Sequence, residues 1–378
     1  MNLDRRLWHQ VARVRGLLLA AIGLGLLAGL LLVAQAYLLS QAISRVFLDG
    51  AVVLAPYRYE SPAGGSFGAF DPFALDGIAF STGGFGARYG DALSAVADLR
   101  TRGRPERTGG GASVSLAALS GTLALALPRG LGVRATATRA DTRLLFDLNG
   151  RAGDFTRDPE GRDLSGSAVW AYRPAGELKV FSLDQWSRLG VVVAEPSYTG
   201  AFESDERHGL HVLSWRDVVG RIAPAATVAL ARAEDARALG ALHLATEERL
   251  FQVHARVGVS PGARWTFVLG GDVERRRSSF RGSVPARGHD LAPDARRVLV
   301  GSTVRGAREA LFAEADWRAA ERLRLVAGLR TDRASLPGRR TWDPRAAAAF
   351  RLGGGLALTA AWGLYHQVAS PFDYEPAT

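Results

Sequence analysis

The 378-residue chain has no Cys, 44 Gly and one Met, and 22% of its residues are charged. That excludes a disulfide framework and a Cys-based zinc or redox site. It also argues against a polytopic helical membrane protein while suiting a soluble protein or a barrel with one apolar and one polar wall. The net charge of +10 is carried almost wholly by Arg, Lys179 being the sole lysine. These arginines are scattered along alternating segments with no basic helix or aromatic-rich RNA motif, so nucleic acid is not an expected partner.

The first fifty residues differ in kind from the rest. Gly16 to Ser44 holds no charged residue and is rich in Leu, Ala and Ile, enough for a bilayer-crossing helix of about 20 residues. Arg5, Arg6, Arg13 and Arg15 precede it, which keeps the N-terminus cytoplasmic. Two readings stand. A signal peptide would have this basic start and Ala34-Gln-Ala36 as its cleavage site, although the apolar run exceeds the usual ~7–15 residues. A true membrane helix would continue through Tyr37 to Ile43. The wording Met1-Asn-Leu-Asp-Arg-Arg-Leu-Trp8 and Leu32-Val-Ala-Gln-Ala-Tyr-Leu-Leu-Ser40 resembles the first transmembrane helix of ABC exporter subunits associated with cytochrome bd assembly. That resemblance stops near residue 50. No comparable apolar run follows, and no G-x-x-x-x-G-K-[ST] loop exists to cradle ATP.

After Gly50 come short segments broken by Gly, Pro and charged clusters. A Gly-rich stretch, Thr82-Gly-Gly-Phe-Gly-Ala-Arg-Tyr-Gly-Asp-Ala-Leu-Ser-Ala-Val-Ala-Asp-Leu-Arg-Thr101, leads into the first of a series of period-two strands. Phe251, Val253, Ala255, Val257 and Val259 share one face, and Gln252, His254, Arg256 and Gly258 the other. Leu311, Ala313, Ala315 and Trp317 oppose Phe312, Glu314, Asp316 and Arg318. Leu323, Leu325, Ala327 and Leu329 oppose Arg322, Arg324 and Arg330. Leu356, Leu358, Ala360, Trp362 and Leu364 oppose Ala357, Thr359, Ala361, Gly363 and Tyr365. Each has the ~10 residues that cross a bilayer as a tilted strand.

Long polar connectors are expected near 141–164, 187–207, 233–248, 276–308 and 332–342, with two strands between each pair. Short turns fall at Pro128-Arg-Gly130, Pro174-Ala-Gly176, Pro261-Gly262, Arg318-Ala-Ala-Glu321 and Gly353-Gly-Gly355. This parity is that of an up-and-down barrel, and it requires the strand-like Val298 to Val304 to be a loop. Trp265, Trp317 and Trp362 fall near strand ends on the apolar face, where an interfacial aromatic girdle would place them. Aromatic core packing in a soluble β-protein is the other reading.

The stretch from Thr82 to Thr101 resembles the last part of the plug domain of TonB-dependent outer-membrane receptors, with Ala95 where that family commonly has Gly. Ala310-Leu-Phe-Ala-Glu-Ala-Asp-Trp317, Leu325-Val-Ala-Gly-Leu-Arg-Thr-Asp332, Asp343-Pro-Arg345 and Trp362-Gly-Leu-Tyr-His-Gln367 resemble its barrel strands. The resemblance covers residues 60–378. It implies a mainly β fold: a partial antiparallel outer-membrane β-barrel of about thirteen ~10-residue strands around a plug remnant, preceded by one N-terminal transmembrane-type α-helix. The expected domains are a hydrophobic helix at 1–50, the end of a plug at 51–109 and a partial barrel at 110–378. Arg88, Tyr89, Gly90 and Asp98 are expected to pack the plug against the wall.

The implied role is energised uptake of a scarce ligand such as a metal chelate, vitamin or saccharide, not catalysis. The implied partners are outer-membrane lipid and a TonB-type energy-coupling protein, whose coupling box is absent here. The chain is expected to be truncated or chimeric across residues 50/51, and inactive as a transporter because about thirteen strands leave unpaired edges at several kcal/mol per group. An uncleaved first helix would tether it to the inner membrane. The alternatives are an exporter fragment, from residues 1–50, and a structural or adhesive β-protein.

No catalytic, cofactor or metal residues are expected. His208 and His211, three apart on a strand, face opposite sides and cannot converge on one ion without a bend. Glu274-Arg-Arg-Arg277 reads as a solvated loop base. Asp71 and Asp76 lack calcium-loop spacing, and Gly353-Gly-Gly355 precedes no helix that would make it a phosphate loop.

Overall fold

Backbone N–H and C=O groups must be paired wherever water is excluded, and a chain of short alternating segments achieves this by forming sheets. The computed structural model describes residues 43–59, 67–68, 70, 74–81, 83–195, 198–288, 290–336 and 338–369. Its first strands are short: β1 (Ile43–Leu48), β2 (Ala51–Val52), β3 (Tyr57–Arg58), β4 (Phe67–Gly68), β5 (Leu75–Ser81) and β6 (Ala95–Thr101). Four of them form a small sheet in the order β2-β1-β6-β5, while β3 pairs with β4. The helix expected over 1–50 lies mainly on residues 1–42, outside those described. Ile43–Leu48, at its end, is instead a strand of the small sheet. Among the described residues no helix is long and apolar enough to cross a membrane.

A second, antiparallel sheet has thirteen strands in unbroken chain order. They are β7 (Gly109–Val114), β8 (Ala118–Ala126), β9 (Leu131–Asp141), β10 (Phe155–Arg173), β11 (Gly176–Glu195), β12 (Tyr198–Arg216), β13 (Ile222–Leu239), β14 (Leu242–Gly262), β15 (Trp265–Pro285), β16 (Arg297–Arg318), β17 (Leu323–Ala334), β18 (Arg340–Gly353) and β19 (Leu356–Gly363). A short helix, α1 (Arg143–Leu148), lies between β9 and β10.

The parity of the connections holds, but most of the long connectors do not exist as loops. Strands β10 to β16 are 18 to 22 residues long and run through them. Val298 to Val304 are therefore strand, paired with β15, and not loop. Glu274-Arg-Arg-Arg277 is likewise mid-strand in β15 and not a loop base. The physical reason is that beyond the apolar band both faces of a strand are polar, which erases the alternation without disturbing the backbone ladder. Turn chemistry was a better guide. Gly354 and Gly355 both have positive φ, of 58° and 81°, as a two-residue hairpin turn requires.

Alternation decides which face looks where. Leu230, Phe251, Leu269, Leu311, Leu329 and Leu358 are exposed on one face of the large sheet. Gln252, Glu274, Arg308, Arg330 and Arg345 are buried on the other. Nine successive strands, β10 to β18, each send a group to the segment before β7, so the large sheet curves around that segment with its polar face inward. The buried apolar residues of the inner segment are Val46, Phe47, Leu48, Ala51, Val52, Tyr59, Phe85, Ala87, Ala92, Ala95, Val96, Ala97 and Leu99.

Candidate functional site: the interface between inner segment and wall

The inner segment presents backbone to the wall, and the wall answers with charged side chains. A tight run from Phe85 to Asp91 shows its carbonyls to two arginines. Arg345 of β18 donates to the carbonyls of Gly86 and Tyr89, each at 2.7 Å, and to that of Phe85 at 3.3 Å. Its guanidinium lies over the rings of Phe85 and Tyr365. Arg330 of β17 donates to the carbonyls of Ala87 and Arg88 at 3.4 Å, and the Ala87 N–H donates to Glu314 of β16 at 2.8 Å.

Arg330 is 0% exposed and paired with Asp272 at 2.7 Å and Asp332 at 2.6 Å. From there an alternating chain of charges runs through the interface. Asp332 pairs with Arg308 at 2.7 Å, Arg308 with Glu274, and Glu274 with Arg45 of β1 at 2.9 Å. Arg45 also pairs with Asp91. Removing one member of such a buried set costs about 3–5 kcal/mol, because its partner is left as an uncompensated charge. The chain is closed at both ends by the inner segment.

Further round the wall the ties are of the same kind. Gln252 of β14, 0% exposed, accepts from the Val52 N–H at 2.7 Å and donates to the Val52 carbonyl at 2.8 Å. Lys179 of β11 pairs with Asp49 at 3.1 Å and donates to the Thr101 carbonyl at 3.0 Å. Arg58 pairs with Asp163 of β10 at 2.6 Å.

Of the residues expected to pack the inner segment against the wall, Arg88 and Tyr89 meet it through their carbonyls and Gly90 through its backbone, while the hydrogen bonds of Asp98 go to Arg88 and Tyr89. The side chains of Arg88, Tyr89 and Asp98 bond to one another: the Tyr89 hydroxyl donates to Asp98 at 2.7 Å, and Arg88 donates to both. It is the carbonyls of Arg88 and Tyr89 that the wall holds. Gly90 is buried against Arg330, and a Cβ there would run into the guanidinium. Burial first, then Asp98 against the opposing effect of Arg88, raises the Tyr89 phenol above its ordinary value of 10.0. The sequence placed Arg330 on a polar strand face, Arg345 in a barrel-like piece and Glu274 in a loop base, assigned none of them to this interface, and did not mark Arg308. Their only signal was a charged residue at an inward position of an alternating strand.

Among the expected girdle residues, Trp265 and Trp317 are cross-strand partners next to short turns, stacked at 5.1 Å. Trp362 lies at the other end of β19, opposite Ala346. His208 turns inward to Asp235, while His211 turns outward to Ser182. A cavity of about 160 Å³ between inner segment and wall is lined by Arg88, Asp98, Lys179, His254, Arg256 and Asp272. This is below the ~300–1,000 Å³ usual for a small-molecule pocket, so it is not a chelate-sized chamber.

No family model and no curated protein sequence matches the chain. Solved structures do. The siderophore receptor PirA from Pseudomonas aeruginosa is 17% identical with a TM-score of 0.59, over 87% of this chain and 55% of its own. The alcaligin outer-membrane receptor FauA from Bordetella pertussis is 14% identical with a TM-score of 0.60, over 84% and 54%. The ferric-catecholate import receptor Fiu from E. coli K12, in its open form, is 12% identical with a TM-score of 0.64, over 86% and 63%. The chain thus shares the fold of these receptors and spans little more than half of their length.

Proposed function

We propose that this chain is the inner-domain and wall portion of a TonB-dependent outer-membrane receptor that takes up a scarce ligand, such as a metal chelate, vitamin or saccharide, by energised movement of the inner segment. The observation that carries this is the interface itself. A domain held in a curved sheet by ion pairs and carbonyl contacts, with little apolar core against the wall, can be displaced without exposing a large apolar surface to water. The sequence resemblance over residues 60–378 and the likeness of fold point the same way. The short-turn end of the wall is then periplasmic, and the longer connections and strand extensions face outward. Gly90 and the carbonyls of Arg88 and Tyr89 meet the wall, Asp98 bracing that run from within the inner segment, and Trp265 and Trp317 mark the inner interface.

The test is expression in a Gram-negative host, fractionation, and uptake of an iron–siderophore chelate, cobalamin and a maltodextrin by intact cells. The expected result is an outer-membrane, heat-modifiable species, and chelate uptake when this chain replaces the corresponding portion of a homologous receptor. An outer-membrane species that adheres to surfaces but takes up none of the three in that chimera would favour the adhesive alternative.

A further inference from the structure

Like charges directly opposite one another weaken a sheet, yet the outer face of the wall carries four in one row. Arg232 of β13 stands opposite Arg249 of β14, Arg249 opposite Arg277 of β15, and Arg277 opposite Arg305 of β16. All four are exposed. The next row on the same face is Leu230, Phe251, Arg275 and Ala307, so the arginines share the face of the outward apolar residues. Glu247 pairs with Arg249 at 2.6 Å and with Arg232 at 3.6 Å. Arg277 and Arg305 have no ion pair among the described residues.

The height of the row matters. On β15, Arg277 lies twelve residue steps beyond Trp265. At about 3.3 Å per residue and a tilt of about 40°, that is roughly 30 Å, the thickness of a hydrocarbon core. The stacked tryptophans and the arginine row therefore mark its two boundaries, and the row lies at headgroup level away from the short turns. A guanidinium matches a phosphate bidentately and stays charged.

We propose that this row is a binding site for a phosphorylated lipid headgroup of the leaflet away from the short turns. A phosphate sits between Arg277 and Arg305, and acyl chains lie on Leu230 and Phe251. The residues line one open groove of about 680 Å³. Charge and neighbours select the occupant. Two unpaired cations call for an anion, and the apolar residues directly below suit its hydrocarbon. A second copy of this face would bring four more cations.

The site rests on the membrane reading given above, and the experiment separates the two. The full chain, refolded in detergent and checked by heat-modifiability, is titrated with lipid A, with lipid A stripped of its phosphates, and with inorganic pyrophosphate, and bound lipid is counted by native mass spectrometry. Wild type should retain lipid A, and Arg277→Gln with Arg305→Gln should weaken retention by about tenfold or more, the loss of one or two charge-assisted bonds. Arg322→Gln, in a short turn, should retain it as wild type does. Equal retention of the stripped lipid, equal retention by the double variant, or pyrophosphate binding as tight as lipid A would each overturn the site. A chain that does not insert at all would overturn the membrane reading and the site with it.

Discussion

At the residue scale the interface turns on positions where one atom decides. Gly90 is one: an added Cβ meets the guanidinium of Arg330, which is itself locked by Asp272 and Asp332 and cannot swing away. Gly90→Ala is expected to loosen the inner segment, seen as faster proteolysis of residues 43–104 with the wall intact; unchanged protection would contradict it. Tyr89 offers a pH test. Its raised pKa means that the folded state favours the neutral phenol, so its contribution is fully present below the ordinary pKa of 10.0 and is lost as pH climbs through the raised value. In an alkaline titration followed by phenolate absorbance, the signal removed by Tyr89→Phe should belong to a late-titrating group. If it belongs to the earliest one, the buried bond to Asp98 is absent.

At the element scale the proposed membrane reading specifies which stretch of each long strand would meet lipid. Leu311 and Leu299 both lie on the outward face of β16, 67% and 82% exposed. Leu311 stands opposite Gly271 in one row with Ala255 of β14, and the next row toward the short turns holds Val257, Leu269 and Ala313, whereas Leu299 lies beyond the arginine row. Leu311→Arg should cost about 2–4 kcal/mol and Leu299→Arg about 0–1 kcal/mol, because the penalty for a charge falls from bilayer midplane to interface. Urea unfolding from lipid vesicles measures both. Equal costs would mean that the two positions share one environment. The strand lengths also show where sequence reading succeeded and failed. The ~10-residue apolar alternation was legible because a strand with one apolar and one polar face repeats with period two. The extensions of β10 to β16 were not, because water on both sides imposes no pattern, and their pairing is fixed only by the neighbouring strand.

At the scale of the whole molecule, the absence of native Cys makes the relation of inner segment to wall directly testable. A Cβ built at Gly50 lies 3.8 Å from the Cβ of Thr227 on β13, close to the mean of about 3.8 Å for a disulfide. Gly50→Cys with Thr227→Cys should cross-link on mild oxidation in outer membranes, read as a mobility shift reversed by reductant. Failure to cross-link, with the wall folded, would place the inner segment elsewhere. The variant also carries some strain, since Gly50 has a φ of 88°.

The sequence by itself determined the class of fold, the strand count of the large sheet, the turns at Pro128, Pro174 and Gly354, and the sidedness of the four strands around Phe251, Leu311, Leu325 and Leu358, because period-two alternation and turn chemistry are local. It also pointed to Arg88, Tyr89, Gly90 and Asp98, through a motif in one continuous stretch. Only the tertiary structure decided that Arg330, Arg345, Glu274 and Arg308 carry the interface, and that four arginines from four strands form one row. Those groupings depend on strand register and on the curvature of the sheet around the inner segment, which bring together residues such as Arg45 and Glu274 that lie far apart in the chain. No local pattern encodes a pairing of that range.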